Sequence, residues 1–130
     1  MIIAVDFDGT IVQDKYPLIG EQYPHAFEVL KKWKEHGHIL ILWTCRNDNS
    51  EHPFVLQNAI NFCLENGLDF DAVNNNYHAI GFCPYPKIYA DVYIDDRSIF
   101  PPGKIDWNFF EKSIEKIDLT AINDGTKALQ

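Results

Sequence analysis

Met1–Val5, Ile39–Trp43 and Val92–Ile94 are short apolar runs, and each stops abruptly at polar residues. An alternating pattern would mean strands with one wetted face. Solid runs mean strands covered on both faces, which is the mark of a parallel sheet. Between the runs the apolar residues fall at helical spacing. Phe27, Leu30 and Trp33 follow Pro24, and Val55, Ala59, Phe62 and Cys63 follow Ser50 and Pro53. Gly37 and Gly67 suit left-handed helix ends, and Ser50 is the expected N-cap of the second helix. Phe70–Val73 is a weaker strand, closed by Asn74-Asn75-Asn76. Residues 77–86, with Gly81, Pro84 and Pro86, read as loop. After the breaker Pro101-Pro102-Gly103, Trp107–Ile117 forms a last amphipathic helix with Phe110, Ile114 and Ile117 on one face.

This alternation predicts an α/β fold: one doubly wound, Rossmann-like parallel sheet with helices on both faces. The 130 residues, 46% of them hydrophobic, suffice for one packed domain. The expected division is a core over residues 1–118 and a polar tail over 119–130. In such sheets ligands bind at the carboxyl ends of the strands. Those ends carry Asp6 and Asp8, then Thr44, then Asn74, then Asp95 and Asp96.

Charge and cysteine content narrow the partners. Nineteen acidic against eleven basic residues give a net charge of -8, and no Lys/Arg run offsets it, so a nucleic-acid backbone is not an expected partner. The three cysteines, Cys45, Cys63 and Cys83, are odd in number and form no C-x-x-C pair, which points to a reducing, cytoplasmic setting. No leader-like or membrane-spanning apolar stretch is present, so no membrane partner is expected. The five histidines lack zinc-ligand spacing. Cys45 reads as a small buried residue.

Asp6 and Asp8 are two apart after a strand, so an extended backbone turns both to one side while Phe7 packs on the other. Carboxylates that close repel unless a proton or cation lies between them, and Mg2+, an oxygen-seeking ion, suits the place. Gly9 allows a tight turn and close approach of backbone to a ligand. Thr10 can hydrogen-bond the loop that follows. Arg46 and Arg97, each just past a strand end, are candidate bidentate anion ligands.

Asp6-Phe7-Asp8-Gly9-Thr10 after an apolar strand resembles the first motif of the haloacid-dehalogenase superfamily. Thr44, Lys87 and the pair Asp95-Asp96 resemble its second, third and fourth motifs, in the family's order, over Ile2 to about Asp96. The resemblance implies a magnesium-dependent phosphatase in which Asp6 is the nucleophile and Asp8 the general acid and base, with Thr44 and Lys87 on the phosphoryl group. It implies metal ligation by Asp6, by Asp8 through its carbonyl and by Asp95, with Asp96 a further ligand or a supporting acid. Neither gap between motifs holds a cap domain; residues 11–23 amount to a flap. The expected substrate is a small phosphorylated metabolite, such as a sugar phosphate or nucleotide. An open site leaves coverage by the substrate, by a second copy of the chain or by a macromolecular target as alternatives. Two other functions stay open: a phosphoaspartate receiver domain, and a non-catalytic module that binds a phosphoryl ligand. Lys87 and Asp95 are eight residues apart, about 26 Å when extended, so the chain must double back near Ala90-Asp91 for them to meet.

Overall fold

The computed structural model describes residues 1–77, 86–98 and 104–123. Four strands, β1 (Ile2–Val5), β2 (Ile39–Leu42), β3 (Ala72–Val73) and β4 (Val92–Ile94), form one sheet in the order β3-β2-β1-β4. Every pairing is parallel. The helices are α1 (Ala26–Glu35), α2 (Val55–Glu65) and α3 (Trp107–Asn123). This is the parallel α/β architecture that the solid apolar runs predict. Among the described residues no cap domain is evident, and no helix is long and apolar enough to cross a membrane.

The register aligns the strand ends. Val5 pairs with Leu42 on one side and Ile94 on the other, and Leu42 pairs with Val73. The residues just beyond continue the ladder: Asp6 N–H donates to Ile94 O, Trp43 N–H to Val5 O and Asn74 N–H to Leu42 O, at 2.8–2.9 Å. Asp6 and Asp95 therefore leave neighbouring strands side by side.

The core is asymmetric. Ile3 and Val5 of β1, Leu40 and Leu42 of β2 and Ile94 of β4 face one way. They pack with Phe27, Leu30 and Trp33 of α1, Ala59 and Cys63 of α2, and Trp107, Phe110 and Ile114 of α3. The opposite face, with Ala4 and Ile41, packs against Ile88, Tyr77 and Ala90 from the β3–β4 crossover. Among the described residues, then, all three helices lie on one face, and the second face has irregular chain where the sequence reading also put helices. Successive right-handed crossovers from β1 to β2 to β3 run in one direction, so α1 and α2 share a side. Most of the predicted loop over 77–86, and the breaker at 101–103, lie outside the described residues.

Local chemistry explains the element ends, with two departures from the sequence reading. Gly37 and Gly67, at φ 86° and 81°, follow α1 and α2. The orphan N–H groups of α2 are met by Asp48 rather than Ser50: its Oδ1 accepts from Leu56 N at 2.7 Å and Gln57 N at 3.4 Å. The last helix also runs six residues beyond Ile117, to Asn123, because no glycine or proline intervenes before Gly125.

Candidate active site

A cavity of about 480 Å³ opens at the carboxyl edge of the sheet, with Asp6, Asp8, Thr44, Arg46, Asp95 and Arg97 among its walls. Its size is typical of small-molecule sites. Asp6, Asp95 and Asp96 each bring a carboxylate oxygen into one group whose members all lie within 4.8 Å of each other. Burial, a hydrogen bond that protonated Asp6 donates to Asp96, and the charge of Asp95 push the Asp6 carboxyl up to about 8. Three acids this close share one physical problem, excess negative charge in a partly desolvated place, and either the proton on Asp6 or a bound cation relieves it.

The loop that follows Asp6 is built to bring Asp96 in. Gly9 has φ 82°, and a Cβ there would lie 2.4 Å from Asp96 Oδ2. Only glycine leaves that space open in that conformation. Buried Thr10 links the two strands: its hydroxyl accepts from Asp96 N–H at 3.0 Å and lies 3.3 Å from Asp6 Oδ2 and 3.5 Å from Asp96 Oδ1. Its carbonyl accepts the Trp107 indole N–H at 2.9 Å, which ties the loop to α3. The donor set is all oxygen and pre-gathered, so these residues fit a hard divalent cation such as Mg2+. Both Asp95 and Asp96 belong to the group, where the sequence left their division of roles open.

Asp8 points elsewhere. Its carboxylate is held in a fork by Arg46, with Nε donating to Oδ2 and Nη2 to Oδ1, both at 2.7 Å. Arg46 is only 1% exposed. Its other N–H groups donate to the carbonyls of Val55 (2.8 Å), Leu18 (2.9 Å) and Pro17 (3.3 Å). Five donors thus meet five acceptors, and the guanidinium lies over the Phe7 and Tyr16 rings at 5.1 and 5.4 Å. Arg46 cannot take a substrate anion without giving up one of these bonds. Its place is to orient Asp8 and to pin the 16–18 segment and the start of α2, not to bind phosphate as the sequence reading had it.

No protein-family model matches the chain, and no curated protein matches it. Among solved structures, a conserved protein coded by a locus of Bacteroides thetaiotaomicron is 42% identical, over 89% of this chain and 90% of its own, with a TM-score of 0.75. This chain belongs to the same family as that protein.

In this member of the family Thr44 lines the cavity, and its hydroxyl accepts from Arg46 N–H at 3.1 Å. Asn74, which stands at the end of β3, has a structural task there: its Oδ1 accepts from Thr44 N–H at 2.8 Å and so fixes the loop after β2. Arg97 is exposed and lines the cavity, where it can meet an anion. Lys87 is placed differently. The chain does double back, with the Tyr93 hydroxyl bonded to Ile88 O and Ala90 N–H, but the Lys87 ammonium sits 5.1 Å over the Tyr93 ring and is not among the cavity walls. Cys45, expected to be buried, is exposed and lines the cavity. Two wall residues escaped the sequence reading altogether, Asp14 and Tyr16. They lie in a stretch without periodicity, where only nearness to the Asp6–Thr10 motif could have flagged them.

Proposed function

We propose that this protein is a magnesium-dependent phosphohydrolase of the haloacid-dehalogenase type, acting in the cytosol on a small phosphorylated metabolite. The observation that carries this reading is the gathering of Asp6, Asp95 and Asp96, the first two of which line an open cavity. Those three side chains would hold the cation. When bound, it would offset the charge of the carboxylates and of the phosphoryl oxygens.

The Asp6 carboxylate attacks phosphorus in line, the bond from phosphorus to the leaving oxygen breaks, and an aspartyl-phosphate forms. Water then attacks this intermediate, Asp8 takes the proton, and inorganic phosphate leaves with Asp6 restored. The resting fork, in which both Asp8 oxygens accept from Arg46, suits the base in this second half. In the first half Asp8 gives the leaving oxygen a proton held on a lone pair that the Arg46 fork leaves free, and the proton taken from water in the second half replaces it. The Thr44 hydroxyl, which accepts from Arg46 N–H, donates its own hydrogen to a phosphoryl oxygen, and Arg97 supplies a cation at the mouth. Such positioning and electrostatic stabilisation are the main needs of phosphoryl transfer.

The test is phosphate release across a panel of phosphorylated metabolites and one aryl phosphate. Release should require magnesium and stop with EDTA. No release from any compound, with the metal bound, would remove the hydrolase reading. A stable phosphoryl adduct without turnover would favour the receiver-like alternative.

A further inference from the structure

We propose that Tyr16 forms an aromatic wall of this cavity and that the ligand it selects carries its phosphoryl group on, or next to, a planar aromatic ring. The inference rests on the phosphohydrolase reading and names the substrate class for that same site.

Tyr16 lines the cavity that holds Asp6, yet its side chain is 46% exposed. A large aromatic side chain gains most when buried, and this one is instead held open beside a strongly polar floor. Its position is built rather than incidental. The Arg46 guanidinium lies over its ring at 5.4 Å, and the His52 ring meets it edge-on at 5.8 Å. Its N–H donates to Asp14 Oδ1 at 3.2 Å, and the next two carbonyls, of Pro17 and Leu18, accept from Arg46. The flap itself is stitched closed: Gln13 N–H donates to Glu21 O at 2.8 Å and Tyr23 N–H to Ile11 O at 2.9 Å. Gly20 lies so close to Gln13 that a Cβ would be 2.0 Å from its carbonyl oxygen. Tyr16 is thus a fixed wall and not the tip of a loose lid.

Among the cavity's described walls Tyr16 supplies the one aromatic ring, beside carboxylates, Thr44, Cys45 and two arginines. A bare sugar phosphate would place hydroxyls against that ring and leave it wet. A phosphate borne by a flat ring matches both kinds of wall, with the anion toward the cation site and Arg97, and the ring against Tyr16.

The experiment compares two non-hydrolysable probes, phenylphosphonate and methylphosphonate, by calorimetric titration with magnesium present. They share the anion and differ in the ring. The wild-type protein should bind the phenyl compound at least about fivefold more tightly, within what one aromatic contact supplies. In Tyr16→Ala, and in the bulk-retaining Tyr16→Leu, that ratio should fall toward one; Tyr16→Phe should keep it. Equal affinities in the wild type, or a preference that survives both Tyr16→Ala and Tyr16→Leu, would overturn the proposal. Equal affinities alongside magnesium-dependent phosphate release would remove the aromatic wall and leave the hydrolase standing. A phenyl preference without any turnover would do the reverse, and failure to bind either probe with no turnover would remove both.

Discussion

The two edges of the sheet use aspartate in opposite ways. At the amino edge, Asp71 and Asp91 each precede a strand and reach sideways to a neighbour. Asp71 Oδ2 accepts from Leu40 N–H at 2.8 Å, and Asp91 Oδ2 accepts from Ile2 N–H at 2.7 Å. Each satisfies one orphan donor at a strand start and needs nothing further. At the carboxyl edge, Asp6, Asp95 and Asp96 crowd one another, and Gly9 and Thr10 are shaped to let them. The difference teaches that an acid at a strand end carries no function by its type. What matters is whether its oxygens are spent on backbone donors or left facing other acids.

The sharpest break between the edges should appear in turnover. Asp6→Asn should lower phosphate release on the order of a thousandfold or more, as loss of a nucleophile does. Steady-state assays with magnesium measure this, and wild-type-like release would refute Asp6 as the attacking group.

The carboxyl edge should also carry the pH response of the metal-free protein. The Asp6 carboxyl is raised from 3.8 to about 8, so the folded state holds a proton that the unfolded chain releases at lower pH. That contribution to stability is complete below about pH 4 and is lost as pH rises through 8. Urea unfolding in EDTA should show stability falling across this window, and magnesium, which favours the ionised acid, should flatten the fall. A flat profile in Asp6→Asn and a sloping one in the wild type would assign the effect; equal slopes would deny it.

Arg46→Met should cost about 3–5 kcal/mol in urea denaturation, because Asp8 loses its fork and three carbonyls lose donors. A loss near zero would mean that solvent replaces those bonds freely. Gly9→Ala should cost about 1–3 kcal/mol for a positive φ, and should weaken the magnesium-induced rise in Tm by displacing Asp96. The smallest effect belongs to the amino edge: Asp91→Ala should cost about 1 kcal/mol and leave turnover intact. A matching loss of activity would erase the contrast between the edges.

Much of the fold was legible because its signals are local. Ile2–Val5 and Ile39–Leu42 are strands, and Phe27, Leu30 and Trp33 face the core, since apolar period and run length depend only on nearby residues. The grouping of Asp6 with Asp95 was also readable, because parallel strands in register bring their ends to one edge. The side on which the helices lie was not. It depends on strand order, and the β3–β4 crossover carries no periodic pattern that announces which face it covers.

The chain by itself determined which residue types stand at the strand ends and how far apart they are along the backbone. Only the tertiary structure decided their partners. Asp8 meets Arg46 across 38 positions, Asp96 fits over Gly9 because no side chain is there, Lys87 turns to Tyr93, and Tyr16 rises as a wall on the guanidinium of Arg46. A residue's type and spacing set which hydrogen bonds and charges it can offer. Which atom receives them depends on distances of a few ångströms between segments remote in sequence, and these are fixed only when the core packs.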